Sequence, residues 1–292
     1  MIKDKFGNVR YKVGLHIHTT ISDGRVSPEE SARIYKEAGF DAIAITDHWK
    51  YHGEDEISGL KIISGCEYNV GSADTIGDVM HIVGVGMKND PGLEKAGTTR
   101  QQVIDAINRE GGLAVLAHPA WSLNAPEDAT ELHGFGATEI YNTVSECGQS
   151  NRPYSGYFVD ILANKGVEYP LIATDDAHFY SGIDDTKAYI MVKSKSLETD
   201  DILDAVRNGD FYATMGPEIH IRREGDKIIC ECSECNEIAF MSNSAWCHDR
   251  IHKGDGITYA EYEIKPFIRW VRAEVTDKDG KCAWSNVIRI RN

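Results

Sequence analysis

The sequence predicts an α/β fold over residues 1–216 followed by a small β-sandwich over residues 217–292, and three observations carry that expectation. Apolar strand-like runs alternate with capped helical segments over most of the chain. Histidines and carboxylates recur at the ends of those runs. Beyond residue 216 the helical pattern stops and short alternating segments with turn signals take over.

The elements follow in order. Residues 11–16 read as a strand, and RVSPEESARIYKEAGF then begins a helix, with Ser27 as N-cap, Pro28 at the first position and Glu30 at the third. Ala42 to Ile45 is a short apolar run of the kind buried on both faces in parallel sheets. LKIISGCEY and VMHIVGVG read as strands, TTRQQVIDAINREGG as a helix closing on Gly111, and LAVLAHP as another buried strand. GATEIYN pairs with the helical SGYFVDILANKG, and PLIATDDAH and KAYIMVKS precede the helix TDDILDAVRNG. After FYATMGPEI, turn signals such as Asp279-Gly280 separate strand-like segments to the end.

Composition narrows the function classes. The 292 residues are 41% hydrophobic and 26% charged, near ordinary globular values, and no apolar run approaches the roughly 18 residues of a membrane span. MIKDKFGNVRYK lacks the apolar core of a secretory signal, and seven cysteines without regular spacing suit a reducing compartment, so a cytoplasmic location is expected. From Pro217 onward 12 Lys and Arg stand against 13 Asp and Glu, so nearly all of the net charge of −15 precedes it. That balance opposes a basic track for duplex nucleic acid and suits carboxylates offset by bound cations. No membrane partner is expected, and the oligomeric state is not specified.

His16 and His18 end the first strand, with Asp23 in the loop beyond. Asp47 and His48 end the second, Glu67 the third, and His81 lies on the next. His118 ends LAVLAHP, and Asp175, Asp176 and His178 end LIATDDAH. Two histidines at i and i+2 only share a strand face, but strand ends in a barrel gather on one rim. Six histidines and three carboxylates there point to metal ions, since burying so many carboxylates without cations is costly.

In this order HIHTTISDG, TDH, GCEY, HIVGVG, AHP and DDAH resemble the motifs of the PHP (polymerase and histidinol phosphatase) superfamily. The motifs span Leu15 to His178, and FYATMGP extends the likeness to about residue 217. The segment RAEVTDKDGKCAWSNVIRI is similar to the β-domain that follows the PHP core in carbaryl-hydrolase-like metallohydrolases. The resemblance implies a distorted seven-stranded (β/α) barrel with two or three divalent metals. By motif, His16, His18, Glu67 and Asp176 would hold the first; Glu67 would bridge to a second held by His81 and His118; Asp23, His48 and His178 would hold a third. Many members carry histidine where Asp23 stands, and the Ser22-Asp23-Gly24 form is familiar in the small-phosphoesterase branch.

Imidazoles with carboxylates suit Zn, Mn or Fe without choosing among them. The implied reaction is attack of a metal-bridging hydroxide on the phosphorus of a small phosphorylated metabolite or nucleotide, with the leaving alcohol protonated by water or a ligand histidine. Glu67, Asp176 and Arg152 are the catalytic candidates. Arg152 precedes a helix near the rim, where it would grip a phosphate oxygen or simply be a solvated loop arginine. Asp47 either orients an imidazole or caps a turn, and Trp49, His52, His133 and Asp175 lie beside motifs as pocket wall or surface. Cys230, Cys232 and Cys235, with Cys247, His248 and His252 downstream, lack zinc-ribbon spacing and read as core. The alternatives to a phosphoesterase are a carboxylic or carbamic ester metallohydrolase and a non-catalytic metal-binding interaction domain.

Overall fold

Strands and helices alternate up to Arg207, and only strands follow. The computed structural model describes residues 1–72, 74 and 78–291, with backbone only for residues 148 and 149. β1 (Ile2–Lys3) and β2 (Val9–Gly14) lead into α1 (Pro28–Glu37). β3 (Ala42–Ala44), β4 (Asp55–Ile57), β5 (Leu60–Ile63), β6 (Gly65–Val70) and β7 (Met80–Val85) come next. Then follow α2 (Arg100–Arg109), β8 (Leu113–Leu116), α3 (Pro126–Thr130) and β9 (Ala137–Asn142). A π-helical turn at Ser145–Gln149 precedes α4 (Gly156–Asn164), β10 (Leu171–Thr174), β11 (Tyr189–Val192), α5 (Thr199–Arg207) and β12 (Phe211–Thr214).

Local chemistry sets the helix ends. Ser27 Oγ accepts from the Glu30 N–H at 3.3 Å, with Pro28 inside the first turn. Thr99 and Gln102 cap α2 reciprocally, and Gly111 takes a φ of +78° where the chain leaves that helix.

β2, β3 and β5 run parallel, and β11 and β12 extend the same sheet antiparallel beyond β2. A second sheet holds β6, β7 and β8 antiparallel, then β9 and β10 parallel to β8. The pairing therefore differs from a closed run of parallel β/α units. Only residues 71–79 separate β6 from β7, too few for a helical crossover, so the two pair as a hairpin. Isolated bridges, Ile17 with Ala177 and His48 with Glu67, join the sheets next to the histidine-bearing strand ends. β3, β8, β9 and β10 are buried along their whole length, which explains the unbroken apolar runs Ala42–Ala44 and Leu113–Leu116.

The tail comprises β13 (Ile219–Glu224), β14 (Lys227–Ser242), β15 (Ile251–Glu263), β16 (Trp270–Thr276), β17 (Cys282–Trp284) and β18 (Ile288–Arg289). It is all β, but its strands belong to one bent sheet where a two-sheet sandwich was expected. Register shifts around Cys235 let β14 pair with β13 through Cys232 and with β16 from Glu237 onward, while β15 follows its other edge. Ile228, Cys230, Ile238, Phe240, Tyr262 and Val271 pack together in a second core. β17 pairs with β12, so the sheet runs on across residue 216. Trp284 packs in the barrel core, and Met191 and Tyr212 pack in the tail's.

Candidate metal centre

The ends of the barrel strands converge. His16 and His18 point inward from either side of Ile17, which is buried in the outer core. Glu67 on β6 and His81 on β7 face them. His118 and Asp176 lie just past β8 and β10 with φ of +26° and +52°, uncommon for side-chain-bearing residues and concentrated where geometry is imposed by a site.

Glu67 sits at the centre. Its Oε2 lies 3.1 Å from His18 Nε2, 3.4 Å from His16 Nε2 and 3.1 Å from His48 Nδ1. Its Oε1 lies 2.7 Å from His81 Nδ1 and 3.4 Å from His118 Nε2. Asp176 Oδ1 is 3.3 Å from His16 Nε2 and 3.1 Å from His18 Nε2, and its Oδ2 is 3.5 Å from His118 Nε2. Asp23 faces His18, His48 and His178 at 3.5, 3.7 and 3.4 Å.

Ligand atoms converge within 4.8 Å in three sets here: His16, His18, Glu67 and Asp176; His18, Asp23, His48 and His178; and His48, Glu67 and His81. The first holds the four residues named by motif for the first metal. The second adds His18 to the three named for the third. In the last, His48 accompanies Glu67 and His81, and His118 stands beside them against Glu67 and Asp176.

The electrostatics fit divalent cations. Burial alone would neutralise His18, but the Asp176 and Glu67 carboxylates close against it outweigh that and hold its pKa at about 10. His48 goes the other way, lowered by burial to about 4 against the attraction of Glu67. Burial opposes the charges of Glu67 and Asp176, yet the facing imidazoles keep both far below the usual carboxylate range. Buried His48 Nδ1 and Asp176 Oδ1 lie close to Glu67 and His18 without a well-directed hydrogen bond, and the Nε2 atoms of His16 and His18 face each other at 3.2 Å. Such orphaned atoms and facing lone-pair donors are what a metal would satisfy.

A buried outer layer fixes these groups, and part of it carries no sequence motif. Glu139 Oε1 accepts from His16 Nδ1 at 2.8 Å and from Thr174 Oγ1 at 2.7 Å. Its Oε2 accepts from the His118 N–H and from Asn142 Nδ2, both at 2.8 Å. Its signal was a single charge inside the strand-like segment GATEIYN. Asp47 accepts from the Thr19 and Ser22 amides and hydroxyls, so it fastens the loop carrying Asp23 and contacts no imbedded imidazole partner in those bonds. Asp175 accepts from Tyr35, Thr143 and the amides of Lys187 and Ala188.

The centre opens into a cavity of about 150 Å³ whose wall adds Trp121, Val144 and Tyr180 to the ligand candidates. Arg152 is exposed and is not part of that wall; its amide is tied back to Ser145 O, and Val144 is the residue from that segment at the cavity. Trp49, His52, His133 and Asp175 are also outside the wall. A larger cavity of about 460 Å³ lies between barrel and tail, and several of its ionic groups are engaged by residues outside it, Arg10 by Asp4, His220 by Glu218 and Glu168 by Arg289. The smaller one holds the unsatisfied atoms. Cys230, Cys232 and Cys235 are buried in the tail core and join no metal-type cluster among the described residues.

The sequence model of the PHP domain family matches residues 14–208, two-thirds of the chain and all nine ligand candidates. The chain belongs to the PHP domain family. An uncharacterized protein of Methanocaldococcus jannaschii is 30% identical in an alignment of 119 positions that covers 37% of this chain and 67% of that protein. A two-domain Bacteroides vulgatus protein, described as containing a predicted PHP-like metal-dependent phosphoesterase, shares the fold with a TM-score of 0.54 and 17% identity. That match covers 99% of this chain and 97% of the other, so the PHP core and its β tail recur together. A lesion-specific endonuclease from Pyrococcus furiosus matches with a TM-score of 0.45 and 14% identity over 68% of this chain and 56% of its own. Among the described residues no helix of this PHP protein is long and apolar enough to cross a membrane.

Proposed function

We propose that this PHP protein is a metal-dependent phosphoesterase that hydrolyses a phosphomonoester of a small metabolite or nucleotide. The observation that carries the reading is the division of Glu67, with Oε2 facing His16, His18 and His48 and Oε1 facing His81 and His118. A carboxylate placed so suits a bridge between two cations. His16, His18, Glu67 and Asp176 would hold the first, Glu67, His81 and His118 the second, and Asp23, His48 and His178 a third. Bound there, Zn, Mn or Fe would acidify a water and neutralise the phosphoryl oxygens of an in-line displacement.

The protein's own groups supply the rest. Glu139 holds His16 by Nδ1 and so presents Nε2 inward. Trp121 packs edge-on against His81 and His118 at 5.4 and 5.0 Å and limits water on that side. A cavity of about 150 Å³ accommodates a phosphoryl group but little of its ester partner, so the leaving alcohol lies at the open side and takes its proton from water.

The test is metal reconstitution with Mn, Zn or Fe followed by phosphomonoester, carboxylic-ester and carbamate panels. Turnover of phosphomonoesters that chelator abolishes is expected. Ester or carbamate turnover alone would favour the carbonyl-directed alternative, and full metal occupancy without turnover would leave a binding domain.

A further inference from the structure

The cavity wall carries Asp23, Glu67 and Asp176 but no lysine or arginine. The cation beside it is Arg25. Its guanidinium carbon lies 4.5 Å over the ring of Tyr180, and its side chain makes no ion pair or hydrogen bond among the described residues. Arg33, one turn into the next helix, behaves as an ordinary surface arginine and pairs with both Glu30 and Glu37. Arg25 instead keeps its donors free.

It is also fixed in place. The Arg25 N–H donates to His178 O at 3.0 Å and the Gly24 N–H to Thr19 O at 2.9 Å. A Cβ on Gly24 would come within 2.5 Å of His18 O, so the Asp23-Gly24-Arg25 turn lies directly on the histidine-bearing strand end. Tyr180 stacks on His178 at 5.4 Å and 14°, and His178 on His18 at 4.4 Å and 23°. Tyr180 lines the cavity beside His178, and the Arg25 guanidinium lies over that same ring, so it is one side chain away from the metal-type cluster. A guanidinium stacked on an aromatic ring keeps its edge available for bidentate contact with a carboxylate or phosphate.

We propose that Arg25 is the recognition arm for a second anionic group, a carboxylate or a further phosphate, on the leaving portion of the substrate; this rests on the phosphoesterase reading. The substrate class narrows to phosphomonoesters bearing a second negative charge.

Binding to the metal-loaded protein tests it without turnover, using calorimetry with phenylphosphonate, 4-carboxyphenylphosphonate and benzene-1,4-bisphosphonate. Wild type should prefer a probe with the second anion by about tenfold, the size of one charge-assisted hydrogen bond. R25Q should abolish that preference and R25K should retain part of it. The better of the two dianionic probes identifies carboxylate or phosphate as the recognised group. An unchanged preference in R25Q, or an equal loss for all three probes, would overturn the proposal. Absence of turnover of both 4-carboxyphenyl phosphate and 1,4-phenylene bisphosphate alongside an Arg25-dependent preference would instead fault the phosphoesterase reading.

Discussion

Glu67 and Asp23 occupy different places in the centre, and their substitutions should fail differently. Glu67 touches five imidazoles through two oxygens, so Glu67→Gln should release more than one metal per chain and lower turnover by about a thousandfold or more. Asp23 is half exposed and faces His18, His48 and His178. Asp23→Asn should weaken one metal selectively, and excess metal should restore part of the activity; elemental analysis alongside rates at rising metal concentration separates the two patterns. Glu139→Gln keeps size but removes the charge that orients His16, and metal affinity should fall about 10- to 100-fold with the fold intact by circular dichroism. That the nine ligand candidates would come together was legible because each lies in a motif on a strand or just beyond one. Glu139 was not, because a lone charge in an apolar strand does not say which imidazole it meets across the barrel. Arg152 and Arg25 both lie on loops near the rim, and only the folded loops show that Arg25 stacks on Tyr180 while Arg152 faces solvent.

At the scale of elements, the turn between β1 and β2 is held by Asp4. Its carboxylate accepts from Arg10 Nε at 2.8 Å and from the Asn8 amide at 2.8 Å. Burial alone would raise its pKa, but these bonds lower it from 3.8 to about 2. Because the folded value lies below the unfolded one, this stabilisation is present above about pH 4 and is lost as pH falls towards 2. Wild type should therefore be more stable than Asp4→Asn by about 2 kcal/mol near neutrality, and the difference should shrink through that window in denaturant titrations. Capped helices such as α1 and α2 were legible because their signals are local. The β6–β7 hairpin and the bend in β14 were less so, because strand direction and partner exchange depend on link length and on neighbours far along the chain.

The whole molecule is held together across residue 216 by more than the β12–β17 pairing. Arg272, fully buried on β16, makes a bidentate pair with Asp160 of α4 at 2.7 and 3.0 Å and also contacts Glu274. Trp284 stacks on Tyr141 of β9 at 5.2 Å and 20°. Arg272→Ala would leave the partly buried Asp160 and Glu274 carboxylates without their cation and should cost about 3 kcal/mol while leaving the metal count unchanged. Calorimetry should show one cooperative transition in wild type, since each core borrows side chains from the other. The change from helices to strands near residue 216 was legible as a loss of helical periodicity. The shared sheet was not, because edge pairing between β12 and β17 leaves no local pattern. The proposed chemistry centres on Glu67 and requires the metals it would bridge. Titration of metal-free protein with Mn or Zn, following bound metal and phosphomonoester turnover together, tests that directly: activity should appear only after more than one metal per chain is bound and vanish with chelator, whereas turnover by metal-free protein, or a full metal complement with no turnover of any ester, would contradict it.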